Sequence, residues 1–414
     1  MKAARKAGGV WCRERENMVE TAASPGVAGW DELVEVVRTL PDRMLAKLPE
    51  ARRADPQIRQ EIGRLALETF GSCLLDAIAG DGDFPAFLPS IGMVLNVGQP
   101  NADTLYRTAR LSPGGTYRLR GKRGSLDQVK IGQVVPRNAE TGKGRAYLDV
   151  NALQVDAQDR FDVLISATRP DGYAGDWWEL GPHANKLMLR LVSQDWANEV
   201  SPTLSIERVD RRMGRGRSTA ADLEQRLRAL TPSVDFLGPM FIDHVEQLRR
   251  EGFVHAFKEF DVSKMGGLVG QFYYESVFEL ADDEALIVET VIPAVCPYRS
   301  LILTNEIYET IDWYNNHSSL NGSQAAPDSD GILRIVVSPR DPGVKNWLDT
   351  AGYPTGVIQG RWTDCDSQPM PSIRLVKLAD VRGQLPSDTA TVTPEERDHI
   401  IRERRAALLQ RPHW

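Results

Sequence analysis

Two tryptophans set between two acidic residues form the first group in this sequence with the residue types of a reaction site. The stretch GYAGDWWELGPHANK contains Asp176, Trp177, Trp178, Glu179 and His183. Indole rings stack on flat or ring-shaped ligands and stabilise a positive charge that develops on them, and a carboxylate can exchange a proton with such a ligand. The alternative is a hairpin loop whose tryptophans are buried for their area alone.

A second group combines aromatic, amide and imidazole side chains in a stretch that is too polar for a core strand. The stretch ETIDWYNNHSSLNGSQ contains Asp312, Trp313, Tyr314, Asn315, Asn316, His317 and Asn321. His317 has the residue type of a general acid or base near neutral pH, with Asp312 or an asparagine fixing its tautomer. The alternative is a long loop that Trp313 and Tyr314 anchor, with asparagines in left-handed turns.

A third group lies in SPRDPGVKNWLDTAGYPTGVIQGRW, where Arg340 and Arg361 stand at the ends of two predicted strands. Trp347 lies between them, and two arginines with a tryptophan can hold the carboxylate or sulfate of a ligand. The alternative is that each arginine forms an internal ion pair with one of the neighbouring acids. These acids are Asp341, Asp349 and Asp364.

The sequence lacks the motifs that would assign these groups to a known chemistry. It contains no G-x-x-x-x-G-K-[ST], no G-x-G-x-x-G after a strand, and no G-x-S-x-G, S-x-x-K or H-E-x-x-H. The six histidines never occur as H-x-H. We therefore expect no nucleotide cofactor and no bound metal, although metal ligands can converge from distant parts of a chain.

Composition describes a soluble protein of more than one domain. The chain has 414 residues, 42% of them hydrophobic and 26% charged, and a single core of that size is uncommon. The net charge of −7 and the absence of a long basic run argue against a nucleic-acid partner. Four widely separated cysteines indicate free thiols in a cytoplasmic protein.

The lengths of the apolar segments argue against a membrane span and against an N-terminal signal peptide. No stretch reaches 18 uncharged apolar residues, so no membrane span is expected, and the first residues lack the apolar region of a signal peptide. Residues 1–17 differ in character from the rest, and Met18 is an alternative start. We expect this N-terminus to be disordered.

Hydrophobic periodicity predicts a mainly β protein with flanking helices, an α+β chain of two antiparallel β-sandwich or jelly-roll-like domains joined by a helical segment. Helical spacing marks the early part of the chain, with Pro41 interrupting one helix and Pro232 following another. The predicted regions are a disordered N-terminus (1–29), a helical segment (30–84), a first β-sandwich (85–217), a helical bridge (218–265), a second β-sandwich (266–385) and a C-terminal helix (386–414).

Two stretches resemble a bacterial family known as "domain of unknown function 1214", together with the β-domain that accompanies it. The C-terminal stretch carries the family's "N-W-L" element and a strand that ends in Arg361 and Trp362. The N-terminal stretch carries an "N-x-D-x-x-Y" element with Asn101, Asp103 and Tyr106, before the "Y-R-L-x-G" strand. The resemblance implies two jelly-roll-like domains and no particular reaction. A turn fixed by an Asx side chain is an alternative role for the second element.

Together these observations lead to the hypothesis of an enzyme that acts on a largely apolar or ring-shaped small molecule by general acid–base chemistry. Lyase or hydrolase chemistry in a pocket between the β-domains fits the residue types best. The expected proton-transfer residues are His317, Glu179 and Asp176. The expected substrate-binding residues are Trp177, Trp178, Trp313, Tyr314, Asn316, Arg340, Trp347, Arg361, Asp103 and Tyr106. The alternatives are a non-catalytic module that binds carbohydrate or lipid, and an assembly protein whose aromatics form a homo-oligomer.

Overall fold

The structure, a computed structural model, describes residues 26–136, 147–260 and 270–412. These residues form four β-sheets and five α-helices, so the predicted mainly β, α+β fold is confirmed. No helix among them is long and apolar enough to cross a membrane. Most of the N-terminus predicted to be disordered, including residues 1–17, lies outside the described residues.

Nine strands in two sheets form the first sandwich. One sheet has the order β1-β2-β8-β4-β5 and the other β7-β6-β3-β9. Alternation explains the packing: in β3, Tyr117 and Leu119 face the core while Arg118 and Arg120 face outward. The strands are β1 Leu88–Pro89, β2 Thr104–Arg110, β3 Tyr117–Lys122, β4 Gln128–Val134, β5 Leu148–Asp149, β6 Arg160–Ser166, β7 Asp176–Glu179, β8 Lys186–Val192 and β9 Thr203–Arg208.

Nine further strands form the second sandwich, with the sheet orders β10-β11-β17-β13-β14 and β16-β15-β12-β18. Its core lies between the sheets and includes Tyr274, Phe278 and Trp362. The strands are β10 Lys258–Phe260, β11 Gln271–Glu279, β12 Glu284–Val291, β13 Tyr298–Asn305, β14 Ser319–Asn321, β15 Ile332–Ser338, β16 Trp347–Asp349, β17 Thr355–Thr363 and β18 Ser372–Lys377.

The two sandwiches have the same topology. Adding nine to each strand number of the first sandwich reproduces both sheet orders of the second. The match extends to the one parallel pair of each, β6–β7 and β15–β16, at the edge of the four-stranded sheet. The chain is therefore a tandem structural repeat, although its sequence contains no repeat of fixed period.

The repeat includes the tryptophans of two sequence groups. Trp177 Nε1 donates to Ser166 Oγ at 2.9 Å, and Trp347 Nε1 donates to Ser338 Oγ at the same distance. Each serine hydroxyl donates in turn to the backbone carbonyl two residues later, at 2.8 Å. These tryptophans hold the edge strands β7 and β16 in equivalent places, which is an architectural role.

Three helices, α1 Trp30–Leu45, α3 Pro56–Ala79 and α4 Ala220–Arg250, share a separate apolar core, to which the short α2 Glu50–Arg53 contributes no buried residue. The prediction that Pro41 and Pro232 interrupt or end helices is wrong, because both lie inside them. An interior proline costs about 3 kcal/mol, whereas burying a large apolar side chain contributes about 1.5–3 kcal/mol. Leu40 and Met44 are fully buried on either side of Pro41, so burial outweighs the lost hydrogen bond.

The last helix, α5 Pro394–Gln410, begins at a capping box within the predicted C-terminal helical region. The Thr393 side chain accepts from the backbone of Glu396, and Glu396 accepts from the backbone of Thr393. This capping box fixes the start of the helix.

The equivalent serine contacts predict unequal losses of stability. Ser338→Ala leaves the indole N–H of Trp347 unpaired at a site that is 5% exposed, which costs about 1–3 kcal/mol. Ser166→Ala removes the same contact from the half-buried Trp177, where water can replace it, so the loss is smaller. Urea unfolding of both variants measures the difference. An equal or larger loss for Ser166→Ala would contradict the assigned roles.

Candidate functional site

The outer faces of the two five-stranded sheets carry the polar residues of the candidate site. On β11 and β17, alternate residues enter the core of the second sandwich, whereas Tyr273, Glu275, Gln359 and Arg361 face the other way. That outer face is buried: Glu275 is 0%, Gln359 1% and Arg361 3% exposed. Helix α4 and residues 97–102 cover it.

The same positions in the first sandwich carry the same residue types. Tyr273 pairs across the sheet with Arg361, and Tyr106 pairs in the equivalent register with Arg190. The positive charges of Arg361 and Arg190 both lower the pKa of Tyr273, although burial raises it more. We call the following residues the interdomain cluster: Gln99, Tyr106, Arg190, His244, Tyr273, Glu275, Tyr308, Gln359 and Arg361.

One side of the interdomain cluster contains a carboxylate, an imidazole and a phenol in direct contact. Glu275 Oε2 lies 2.6 Å from His244 Nε2, and Tyr308 Oη donates to Glu275 Oε1. Gln359 Nε2 donates to the same Oε1 and, at 2.9 Å, to Tyr308 Oη. Burial, and next the charge of Glu275, raise the pKa of Tyr308 well above its usual value, so the phenol keeps its proton.

The other side of the interdomain cluster contains Arg361. Its Nη2 donates to Gln99 Oε1 at 3.2 Å, and its guanidinium lies 5.3 Å from the ring centroid of Tyr273. Arg361 Nη1, Gln99 Nε2 and Gln359 Oε1 are buried and have no hydrogen-bond partner among the described residues. Three unpaired polar atoms on adjacent side chains are unusual in a protein interior.

Backbone strain occurs at the same place. Gln99 and Tyr308 have φ values of 60° and 66°, in the left-handed region that non-glycine residues rarely adopt. The Gln99 N–H donates to the Tyr308 carbonyl at 3.1 Å, so the two strained residues hold each other. The preceding Gly98, at φ 69°, lies against the Phe241 ring, where a Cβ atom would overlap it. Strained residues of this kind concentrate at functional sites.

Beside the interdomain cluster, the carboxylate of Asp103 joins the two sandwiches. It accepts hydrogen bonds from Trp196 Nε1 at 2.9 Å, Asn321 Nδ2 at 2.7 Å and Tyr298 Oη at 2.7 Å. Asn101 Nδ2 donates to the same tyrosine oxygen at 2.6 Å. Burial raises the pKa of Asp103, and the three donors partly offset that effect. Asn101 and Asp103, two residues of the N-x-D-x-x-Y element, thus form a domain junction.

Helix α5 closes this junction with an arginine at every seventh position. Arg397, Arg404 and Arg411 are 4%, 8% and 7% exposed. Arg397 donates to Asp341 at 2.8 Å and its guanidinium lies 5.2 Å from the Trp347 ring centroid. The other two arginines contact Trp196, Ser319 and the backbone of Asp103. The helix therefore contacts both sandwiches.

The residues of the first sequence group lie on the first sandwich and apart from the interdomain cluster. Asp176 accepts from the backbone of Gln154 at 2.7 Å, Trp178 packs against the core, and Glu179 is exposed. An open groove of about 730 Å³ passes over Asp176. Its other polar lining residues include Arg120, Lys122, Asp156, Arg160 and Asp162.

The second group forms an anchored loop. Trp313 and Tyr314 are 4% and 2% exposed and pack against Trp196 and Leu408. The Asn316 side chain donates to the Asp312 carbonyl at 3.2 Å. The prediction that Asp312 or an asparagine fixes the His317 tautomer is wrong, because His317 Nδ1 donates to the Trp347 carbonyl at 2.5 Å.

His317 and Trp347 meet, but the expected catalytic residues are not in one place. The His317 and Trp347 rings stack with centroids 6.2 Å apart, whereas Asp176 and Glu179 belong to the other sandwich. Burial, and then the charges of Arg404 and Arg397, lower the pKa of His317 well below its usual value. A neutral, 3% exposed imidazole is poorly suited to exchange protons with a ligand.

The two arginines of the third group have different environments. Arg340 is exposed and donates to the Asp282 carbonyl at 3.0 Å. Asp341, one of the acids proposed as an arginine partner, binds Arg397 instead. Arg361 forms no salt bridge with any described residue, so the internal pairing alternative is wrong for it.

Arg361 and Tyr106 are thus the two predicted ligand-binding residues that belong to the interdomain cluster. Sequence reasoning missed His244, Glu275, Tyr308 and Gln359. For Glu275 and Gln359 the available signal is the alternation of polar side chains in QFYYESVFE and TGVIQGRWT. Alternating polar residues of this kind are usually assigned to the solvent-facing side of a strand. The described residues contain no group of three or more His, Cys, Asp or Glu side chains that could hold a metal ion.

An uncharacterized protein from Burkholderia cenocepacia has a similar structure. It is 27% identical, with a TM-score of 0.78, and the match covers 85% of this chain and 97% of that one. A protein from Vibrio parahaemolyticus is 13% identical over 76% of this chain and 98% of that one, with a TM-score of 0.43, which is too low to support a shared fold. No protein-family model and no curated protein matches the sequence. The similarity to the Burkholderia protein supports the fold and names no activity.

The buried His317 predicts a dependence of stability on pH. Its pKa lies near 6.5 in the unfolded chain and well below that in the folded protein, so the unfolded state binds more protons as the pH falls. The contribution of the neutral His317 imidazole to the free energy of unfolding is therefore lost on acidification. Between about pH 7.5 and about pH 5.5, the wild type should lose about 1.4 kcal/mol more than His317→Asn.

Urea unfolding at the two pH values measures this difference. His183→Asn, at an exposed position, is the matched control and should behave as the wild type. A wild type and a His317→Asn variant with parallel pH dependences would show that the imidazole titrates normally in the folded state.

Proposed function

We propose that the interdomain cluster is the active site of an enzyme that transfers protons to and from a largely apolar or ring-shaped small molecule. Lyase or hydrolase chemistry in the cytoplasm fits the inventory of residues. The observation that carries the proposal is the contact of Glu275, His244 and Tyr308, a carboxylate–imidazole–phenol set where α4 covers the second sandwich. Pockets at domain interfaces are a common place for active sites.

His244 has the geometry of a general base. Its Nε2 points to the Glu275 carboxylate, which holds that nitrogen as the N–H and leaves Nδ1 with the basic lone pair. When Nδ1 takes a proton from the substrate, the buried carboxylate stabilises the imidazolium. The His244 side chain is 16% exposed, unlike the fully buried Glu275, so the imidazole is the member of the pair that can meet a ligand.

Aromatic rings around this pair support an apolar or ring-shaped ligand. His244 lies between Phe260 and Tyr308, with ring centroids 4.4 Å and 5.2 Å away, and Phe241 stacks on Tyr308 at 5.7 Å. Such surfaces bind flat molecules by contact area and by ring stacking. Proton transfer is assigned here to His244 rather than to His317, since His317 is buried and already binds a backbone carbonyl.

The second candidate is a binding module in which the same side chains only hydrogen-bond a carbohydrate or lipid. The saturation of the Glu275 carboxylate by three donors favours it, because a carboxylate so held has a structural role as well. Membership of the "domain of unknown function 1214" family and assembly as a homo-oligomer remain proposals that rest on the sequence.

The turnover of two variants tests whether the protein is an enzyme that uses His244 and Glu275. Full-length protein is incubated with a mixed set of small aromatic and alicyclic acids, esters and lactones, and consumption is followed by mass spectrometry. His244→Gln should reduce the turnover of any consumed compound by about a hundredfold or more, because a general base contributes that much. Glu275→Gln should reduce it as well, since the imidazolium loses its counter-charge.

His183→Gln is the matched control, because His183 is exposed in a loop of the first sandwich. It should turn over the same compound at the wild-type rate. Full activity in His244→Gln would rule out the assigned base, and compounds that bind the wild type without being consumed would favour the binding module.

A further inference from the structure

Arg361 is a buried positive charge without a charged partner. It is 3% exposed, and among the described residues no carboxylate lies within ion-pair distance of it. Its guanidinium donates to a neutral acceptor, Gln99 Oε1, and its other contact is with the neutral side chain of Tyr273. Because an uncompensated buried charge destabilises a fold, such a group is expected to have a partner that the chain itself does not supply.

The atoms next to Arg361 favour an acceptor of hydrogen bonds as that partner. Arg361 Nη1 and Gln99 Nε2 are both unpaired donors, and the hydrogen bond between these two side chains brings the donors together. The Ser300 hydroxyl lies on the same face, opposite Arg361 in the β13–β17 register. The strained backbone of Gln99 holds its amide in this position.

The nearby charges also favour a negative group. Glu275 lies two residues from Tyr273, the register partner of Arg361, on the same sheet face, but both of its oxygens already accept from His244, Tyr308 and Gln359. Arg190 of the first sandwich adds a second positive charge close to Tyr273. The field at the unpaired donors is therefore positive, while both oxygens of the Glu275 carboxylate are hydrogen-bonded.

We infer that Arg361 and Gln99 bind a carboxylate of the ligand, so that the ligand is an organic acid with a ring or apolar body. The inference rests on the proposed function for the location of the site and adds the class of ligand. A carboxylate bound there would place the rest of the molecule along Tyr273 toward His244. Tyr273 and Glu275 are successive residues on one face of β11, and Glu275 contacts His244.

A carboxylate fits these groups better than a phosphate. Two planar donor groups, a guanidinium and an amide, match the plane of a carboxylate. A phosphate dianion would carry about two charges, so the Glu275 carboxylate, two register positions away on the same face, would repel it more strongly than it repels a carboxylate.

Benzoate is the probe for this inference, benzamide its neutral counterpart, and inorganic phosphate the competing anion. Binding to the full chain is measured by isothermal titration and by the shift of the melting temperature. Benzoate should bind the wild type and raise its melting temperature, whereas benzamide and phosphate should not. Arg361→Gln should weaken benzoate binding by at least about tenfold, because a charged hydrogen-bonded pair is lost.

Arg340→Gln is the matched control, since Arg340 is exposed near the same domain's edge, and it should bind benzoate as the wild type does. If Arg361→Gln does not fold, Gln99→Leu decides, with an expected several-fold loss of benzoate affinity. Equal binding of benzoate and benzamide, binding of phosphate in place of benzoate, no binding of benzoate, or full affinity in the decisive variant would each overturn the inference.

These measurements need no turnover, so they separate the two proposals. Benzoate binding through Arg361 in a protein whose turnover ignores His244 supports the carboxylate site and rejects the enzyme. Turnover that needs His244, of compounds without a carboxylate and unaffected by Arg361→Gln, supports the enzyme and overturns the carboxylate site.

Discussion

The buried carboxylate of Asp103 joins the two sandwiches. It lies in the first sandwich, and two of its three donors, Tyr298 and Asn321, belong to the second. A buried carboxylate is costly unless its oxygens are hydrogen-bonded, so the sandwiches are held where all three donors reach it. That requirement fixes the relative position of the two sheets on which the interdomain cluster is built.

Duplication of one topology explains how a polar site arises inside a protein with ordinary apolar cores. Each sandwich buries one face of its five-stranded sheet in its own core and leaves the other face polar. Where the two polar faces come together under α4, side chains that would otherwise contact water become buried. Equivalent Tyr–Arg pairs then lie on both sides of the interface, but only the second sandwich adds Glu275 and Gln359.

Local patterns in the sequence were sufficient for the fold class and insufficient for the site. Alternation and turn residues are local, so the strands, the capping box at Thr393 and the two-domain mainly β architecture could be predicted. Burial of a polar strand face depends on distant elements, so Gln359 and Glu275 read as solvent-facing. Arg361 and Tyr106 were found through residue type and family resemblance. The pKa of His317 depends on Arg397 and Arg404, which are far away in the sequence.

The arginines at the end of the chain are the last residues of the domain junction to be synthesised. On a ribosome the first sandwich emerges and can fold before the second exists, since domains generally fold as units from the N-terminal side. Asp103 and Trp196 can then contact each other before Tyr298 and Asn321 have been synthesised. The contacts of Arg404 and Arg411 form last. A nascent chain that stops before α5 would therefore leave the junction between the two folded domains uncovered.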